Sequence, residues 1–452
     1  MPNLSASSHS PAPTGSLLRI LGLSFGIAAA LGGTIGVGIL RAPGIVATQL
    51  PDPFWIVAIW LIGGVYVLLG TLCVIELSTS MPKAGGWYVY TRAAFGDFPA
   101  FVVGWSFWLA LSAALGYISI AFSEYLAVFV PSLTNWGRNS GLAVLIAFTG
   151  FQFLGLRPVS WFLEFTGLLK GVVFLGLVAA CFLFAPEQSP VVKMAQPIAA
   201  AAFLPGLVLA AQAVVKTYDG WYSPFFFTEE DKNPTRNVPR AMLIGTCTVI
   251  VIYVGLNVAM LSILSVPEMA SSKLPAADAF ARVFGGATGR VMTGLAVLSI
   301  AGLLNTVFMS APRILYAMAR DGLFFSKAAH VTRSGVPSVA TLFSGGAALV
   351  LVFGGNFERV FAMSAFMSVV CYTVGYSSLF VLRKKHPEWP RPFKVWGYPW
   401  VPLAALLGSI AFLVGAIMED TASAGWSLVA LAVSYPVFLL LRRAQRRAVV
   451  TP

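Results

Sequence analysis

The sequence predicts an all-α polytopic membrane protein with about twelve transmembrane helices. Of its 452 residues, 58% are hydrophobic and only 10% are charged, which leaves too little polar surface for a water-soluble globule. Apolar stretches of about 20 residues, the length that crosses a bilayer, recur between short polar loops. These stretches run approximately over 17–48, 53–79, 99–130, 141–156, 161–184, 203–227, 242–266, 291–318, 339–353, 360–382, 401–418 and 426–441.

The distribution of basic residues predicts the orientation. If residues 1–16, rich in Ser and Pro, form a disordered cytoplasmic tail, most of the 29 Lys and Arg lie on the cytoplasmic side. The exceptions are Arg138, Lys193, Lys273, Arg282, Arg290 and Arg359 outside, and Arg41, Lys170 and Lys216 within spans. Because cytoplasmic loops carry an excess of Lys and Arg, we expect both termini inside, in a plasma membrane such as the bacterial inner membrane. Anionic inner-leaflet lipids, rather than nucleic acid, then explain the net charge of +12.

A glycine-rich segment, residues 32–38 (GGTIGVG), interrupts the first apolar stretch where a membrane helix is normally continuous. In hydrocarbon a helix unwinds only where protein or a polar cavity takes over its backbone hydrogen bonds. The alternative is a GxxxG packing face on Gly32 and Gly36, but four glycines followed by Pro43 favour a break. A second break is predicted near residues 217–220 (TYDG). Paired broken helices indicate a substrate site at the midplane of a secondary transporter.

Such breaks suit the two charged groups of a free amino acid. An unwound helix leaves N–H groups unpaired where it resumes and carbonyls unpaired where it stops. Glycine also lets a ligand approach the backbone, as at Gly220. The predicted substrate contacts are the N–H groups of Gly36, Val37 and Gly38 for the carboxylate, and the carbonyls near Ile35, Lys216 and Asp219 for the ammonium.

Three cytoplasmic loops are more patterned than solvent-facing connectors require. They read ELSTSMPKAGGWYVY (76–90), TEEDKNPTRNVPRA (228–241) and RILYAMARDG (313–322). Together with the glycine break, and in this order, they closely resemble the amino acid-polyamine-organocation transporter superfamily, and within it the L-type and related bacterial amino acid permeases. The resemblance covers about 16–441. Relatives usually read Gly-Ser-Gly where this chain has Gly36-Val37-Gly38, so a hydroxyl contact is lost here.

The resemblance implies a transporter core over 17–382, built from two inverted five-helix repeats, about 17–186 and 201–382, in which helices 1 and 6 are broken. Two additional helices within 383–443 and a cytoplasmic tail, 444–452, would follow. It also implies a secondary active transporter of amino acids that works by alternating access without sodium, as a proton-coupled carrier or an exchanger. The expected partners are an amino acid, membrane lipids and, under proton coupling, protons.

Other functions receive less support. A carrier of polyamines or other organic cations is the first alternative, and a channel the second, although the chain has no filter-like repeat or acidic ring. An enzyme is not expected, because the GxSxG match at residues 22–26 lies in a membrane helix without an intramembrane histidine. For the same reason we expect no cofactor and no metal site, since His9, His330 and His386 lie in the tail and inner loops.

Lys170 lies within the fifth span, where a charge is costly and usually functional. The alternative is that it snorkels to the inner interface. The resemblance implies that its ammonium stands where sodium-coupled relatives bind a cation, with carbonyls of the first half-helix and a hydroxyl of span 8, Ser299, as partners. Proton coupling would follow if its protonation differed between the two open states.

Three further residues near the breaks have two interpretations each. Lys216 aligns with an aromatic gate of the relatives, so it would repel cationic substrates or pair with Asp219 or another carboxylate. Arg41 would select anions on the outer route or meet Glu124, and Trp221 would be a gate or a core residue. Six charged residues near the inner face also have two interpretations: they form ion pairs that lock an inner gate, or they are solvated loop charges. They are Glu76, Glu229, Glu230, Arg236, Arg240 and Arg313.

Overall fold

The computed structural model describes residues 16–36, 38–136, 138–184, 200–272, 274–285, 288–354 and 357–450. These parts of the chain are almost entirely helical. The α-helices are α1 (Leu23–Thr34), α2 (Gly38–Gln49), α3 (Pro53–Ser80), α4 (Trp87–Phe95), α5 (Asp97–Leu126), α6 (Arg138–Gln152), α7 (Leu156–Phe184), α8 (Ala200–Tyr218), α9 (Pro234–Ile263), α10 (Val266–Ser271), α11 (Pro275–Phe284), α12 (Thr288–Arg320), α13 (Ser338–Gly354), α14 (Phe357–Lys385), α15 (Trp400–Glu419) and α16 (Thr421–Val450). Short 3-10 segments cover Pro131–Trp136, Ser223–Phe227 and Ser326–Ala329.

The all-α polytopic class predicted from the sequence is confirmed. Among the described residues, eight helices are long and apolar enough to cross a membrane, or nine if α1 and α2 are one bent span. The other predicted stretches contain α6, α8 and α13, which are not among the eight. The count of twelve spans therefore stays a prediction.

The packing of the long helices brings the two halves of the chain together. α3 packs against α9, and α5 packs against α12. In the predicted order these are the second and seventh spans and the third and eighth spans, the partners that an inverted repeat relates. The repeat itself stays a prediction.

Local sequence explains where the helices around the centre begin and end. α3 starts at Pro53, where proline is favourable because the first N–H of a helix has no acceptor within the helix and proline has no N–H. Asp52 caps the helix by accepting from the Phe54 N–H at 2.8 Å. α1 is held at the centre by α7 and α9, while α2 lies against α8. The two segments predicted to be broken are therefore neighbours in the fold.

Candidate functional site

The first break lies where the glycines predict it. α1 ends at Thr34, where the Ile35 N–H still donates to the Leu31 carbonyl at 2.9 Å. α2 begins at Gly38, and its axis is turned by 42° from that of α1. The predicted contact at Val37 lies outside the described residues. The first N–H groups of α2 have no acceptor within their own helix, so they provide a site of positive potential at the break.

The second break also lies within the predicted segment. α8 ends at Tyr218, and the chain turns at Gly220, whose φ of +106° is a conformation that favours glycine. Ser223 fastens this turn, since its backbone N–H and its hydroxyl donate to the Gly220 carbonyl at 3.0 and 2.7 Å. A 3-10 segment, Ser223–Phe227, then replaces the second half of the predicted sixth span.

The two breaks touch each other through glycines. A Cβ atom added to Gly220 would lie 2.0 Å from the Gly33 carbonyl oxygen, and one added to Gly33 would lie 2.9 Å from the Gly220 carbonyl oxygen. Gly38 similarly faces Thr217, where a Cβ would lie 3.2 Å from the Thr217 methyl carbon. The backbone of one break therefore forms a wall of the other, and larger residues at Gly33 or Gly220 would push them apart.

Lys170 of α7 is buried directly behind the first break. Its side chain is 2% exposed, so it does not snorkel to the inner interface. The ammonium donates to the carbonyls of Gly32 at 3.1 Å and Ile35 at 2.9 Å, which end the first half-helix. The Ile35 carbonyl, predicted to face a substrate ammonium, is thus already bonded to Lys170.

The predicted Lys170–Ser299 hydrogen bond is not formed. The Ser299 hydroxyl is buried and has no hydrogen-bond partner within the described part of the chain. Lys170 meets α12 at Gly302 instead, where an added Cβ would lie 3.1 Å from the lysine Nζ. The absence of a side chain at Gly302 gives the lysine its space.

Two tyrosines at the breaks were not among the predicted site residues. Tyr253 of α9 is fully buried, and its hydroxyl lies 2.9 Å from the Thr34 carbonyl and 3.2 Å from the Thr217 carbonyl. Tyr372 of α14 donates its hydroxyl to the Asp219 carboxylate. The available signal was a phenol inside an apolar stretch, because a buried tyrosine hydroxyl usually finds a partner.

Lys216 and Asp219 have different electrostatic partners. Asp219 is bonded to Tyr372, whereas the carboxylates that act electrostatically on Lys216 are Glu419 and Asp420, where α15 meets α16. Of the two interpretations of Lys216, the structure favours an interaction with a carboxylate other than Asp219 over a gate position that faces the substrate.

Arg41 is exposed, whereas Trp221 is buried. Arg41 donates to the Tyr125 hydroxyl at 3.2 Å, with its guanidinium 5.4 Å from the centroid of the same ring. Its partner here is thus Tyr125, next to Glu124 in the chain, and its selection of anions stays a prediction. Trp221 is 4% exposed and packs against Tyr222 and Tyr372, with ring centroids 5.5 and 6.3 Å away. In this structure Trp221 is a core residue, and its role as a gate stays a prediction.

A buried ion pair joins α12 to the loop that follows the second break. Arg313 of α12 pairs with Glu230, and their side chains are 4% and 0% exposed. The arginine also lies over the Phe227 ring, 4.5 Å from its centroid. The Leu21 N–H donates to the Glu230 carbonyl and the Lys232 N–H donates to the Leu21 carbonyl, both at 3.0 Å. These bonds attach the start of α1 to the Glu230 loop, residues 228–233 between the 3-10 segment and α9. These contacts close the end of the helix bundle at which α1 begins, which the distribution of basic residues predicts to be the cytoplasmic side.

The other predicted inner-gate charges divide into three groups. Glu229 pairs with Arg320 at 2.6 Å at the protein surface. Glu76 is buried and has other partners: Arg383, in the last turn of α14, lies 2.5 Å away, and the Val395 N–H donates to it at 2.7 Å. Among the residues described, Arg236 and Arg240 are exposed without ion pairs, as the solvated alternative predicts.

Comparison with known proteins places the chain in a family. The model of the amino acid permease family matches residues 16–440. The chain is 30% identical to the serine/threonine exchanger SteT of Bacillus subtilis, over 94% of this chain and 98% of that protein. It is 28% identical to the b(0,+)-type amino acid transporter 1 of Rattus norvegicus, over 92% and 86% of the two chains. It is also 28% identical to the Asc-type amino acid transporter 1 of Homo sapiens, over 94% and 82%. Since the match spans nearly the whole chain, the protein belongs to the amino acid permease family of the amino acid-polyamine-organocation superfamily.

Proposed function

We propose that this protein exchanges small neutral amino acids across the membrane without sodium, and that the substrate binds as a zwitterion between the two breaks. The observation that carries the proposal is the contact of the breaks at Gly33 and Gly220, which places two sets of helix-end backbone groups side by side. The names of the similar proteins, a serine/threonine exchanger among them, support both the substrate class and the exchange mode.

The two ends of the zwitterion are assigned by charge. The substrate carboxylate takes the N–H groups where α2 begins, at Gly36 and Gly38, because they lack intrahelical acceptors and lie at the positive end of the helix dipole. The ammonium takes the second break, at the carbonyls of Lys216 and Asp219. Thr34 and Ile35 are less available, since Tyr253 and Lys170 already donate to their carbonyls.

Sodium independence rests on Lys170. Its ammonium supplies a fixed positive charge to the carbonyls that end α1, which is the work that a bound cation would otherwise do. With this charge covalently attached, the break needs no sodium ion for its structure. The inner-closed form then represents one end of the transport cycle, and separation of α1 from the Glu230 loop would lead to the other.

Transport into proteoliposomes tests the proposal. We expect labelled serine to enter faster when the vesicles contain unlabelled serine than when they are empty, and at the same rate in sodium and potassium buffers. Acidic, neutral and basic amino acids and a polyamine are added as competitors. Accumulation in empty vesicles driven by a pH gradient would indicate proton symport instead, competition by the polyamine alone would favour the organic cation alternative, and unsaturable flux without counterflow would favour a channel. No uptake of any amino acid would refute the proposal.

Replacing Lys216 with phenylalanine tests its role in selectivity. Because Glu419 and Asp420 act on Lys216, we expect the Lys216→Phe variant to leave the competition by aspartate relative to serine unchanged within about twofold. Lys216→Gln, which removes only the charge, is the control. If Lys216 instead filters substrates, both variants would bind aspartate several times more weakly while serine uptake stays the same.

A further inference from the structure

A single buried hydroxyl lies between the two breaks. The Tyr253 side chain projects from α9, and its oxygen is 2.9 Å from the Thr34 carbonyl oxygen and 3.2 Å from the Thr217 carbonyl oxygen. These carbonyls belong to the last turns of α1 and α8, where no N–H of the same helix reaches them. Tyr253 therefore serves both helix ends at once.

The ring of Tyr253 is held in a rigid aromatic cluster. Its centroid lies 4.8 Å from that of Tyr218 and 5.7 Å from that of Trp60, and all three side chains are fully buried. The Tyr218 hydroxyl donates to the Trp60 carbonyl of α3 at 3.1 Å, so this hydroxyl bonds to no carbonyl of either break. The position of the Tyr253 hydroxyl is thus fixed by α3, α8 and α9 rather than by α1.

A tyrosine hydroxyl has one hydrogen to donate. When two carbonyls share this hydrogen, each hydrogen bond is weaker than a bond to one carbonyl alone. If one carbonyl moves away, the other receives the full hydrogen bond. α8 shares the aromatic cluster with Tyr253 through Tyr218, whereas α1 contributes no ring to it. If the end of α1 moves, Thr34 loses the shared hydrogen and Thr217 gains it.

We propose that Tyr253 is a positioning residue for alternating access: its hydroxyl holds the ends of α1 and α8 together in the inner-closed state and passes entirely to Thr217 when α1 tilts to open the inner side. This inference rests on the proposed function, because only a carrier needs α1 to move. The exchange of acceptor lowers the cost of opening, since Thr217 recovers part of what Thr34 loses. Without the hydroxyl, nothing on α9 ties Thr34 to Thr217, and the inner-closed state loses more than the open one.

Labelling of a cysteine beneath the breaks measures this balance. Ser310 is buried on α12, the helix that packs against α1 and the 3-10 segment Ser223–Phe227. A Ser310→Cys reporter, in a background without the four native cysteines, is reacted with a maleimide in the purified protein without substrate. We expect Tyr253→Phe to increase the labelling rate by about two- to threefold. The closed state loses the bond shared by both carbonyls, whereas the open state loses only the bond to Thr217, so the difference is a fraction of one net hydrogen bond.

Tyr218→Phe is the matched control, since it removes a hydroxyl of the same cluster whose partner is the Trp60 carbonyl of α3 rather than a carbonyl of either break. It is expected to label at the rate of the otherwise unchanged protein. Equal labelling of all three proteins, or an equal increase in both variants, would overturn the proposal. If Tyr253→Phe does not yield folded protein, Tyr253→His replaces it: the shorter ring cannot reach both carbonyls, so its labelling is expected to be faster than that of Tyr253, and an unchanged rate would overturn the proposal.

The labelling does not depend on any substrate, so its failure differs from failure of the proposed function. If the protein transports no amino acid in proteoliposomes, the transport proposal fails whatever the labelling shows. If it exchanges serine but Tyr253→Phe labels and transports like the unmodified protein, only the role of Tyr253 fails. As a second readout, we expect Tyr253→Phe to change the KM for serine more than Tyr218→Phe does.

Discussion

Replacing Lys170 with alanine is expected to reduce amino acid exchange at least about tenfold. The substitution leaves the carbonyls of Gly32 and Ile35 without their shared donor in a buried position, and each unsatisfied group costs about 1–3 kcal/mol. The end of α1 would then have to rearrange, and with it the start of α2 that we assign to the substrate carboxylate. The measurement is serine uptake into proteoliposomes, with and without a pH gradient.

A second lysine provides the control for the loss of charge. Lys232 is exposed in the loop between the 3-10 segment Ser223–Phe227 and α9, so Lys232→Ala removes one positive charge without touching a break, and it is expected to transport normally. Full uptake by Lys170→Ala would contradict the supporting role of Lys170. Full uptake that still responds to a pH gradient would in addition exclude Lys170 as a coupling group.

The positions of both breaks could be predicted from the sequence because glycine chemistry is local. Four glycines between 32 and 38 favour unwinding in whatever fold contains them, and α1 does end within that segment, at Thr34. The long apolar stretches were predictable for the same reason, since crossing a bilayer sets their length and composition. Shorter helices such as α6 and α13 carry less of this signal, which is why the number of spans is not settled by composition.

The partners of individual side chains could not be predicted in the same way. Lys170 was expected to bond to Ser299, but on α12 the lysine lies against Gly302, and only the packing of α7 against α12 decides which residue it meets. Tyr253 binds carbonyls 219 and 36 residues away, a pairing that no local pattern contains. Lys216 was placed by alignment, which gives depth along a helix but not the neighbours of a long side chain.

The buried pair of Glu230 and Arg313 leads to the second large expected effect. Both side chains are almost completely buried, and Arg313 also donates to the Met309 carbonyl and covers the Phe227 ring. Removal of one partner from such a pair strands a charge out of water and typically costs about 3–5 kcal/mol. The pair lies next to the hydrogen bonds between Leu21 and the Glu230 loop, so its loss would weaken the seal at the inner end of α1.

Glu230→Gln keeps the shape of the side chain and removes its charge, so we expect it to lower the free energy of unfolding by about 3 kcal/mol and to increase maleimide labelling at Ser310→Cys. Glu229→Gln is the matched control one residue away. The Glu229 and Arg320 side chains are 26% and 30% exposed, so their ion pair is expected to be worth about 0–1 kcal/mol, and the glutamine oxygen can still accept from the Ala84 N–H. Thermal unfolding of the purified variants measures the difference.

Adding Arg313→Met to Glu230→Gln removes the stranded charge and should restore most of the stability but not the inner seal, because an apolar pair packs the space without fastening the loop to α12. Equal losses in Glu230→Gln and Glu229→Gln would mean that burial adds nothing to this pair, and that the backbone hydrogen bonds at Leu21 close the inner side by themselves.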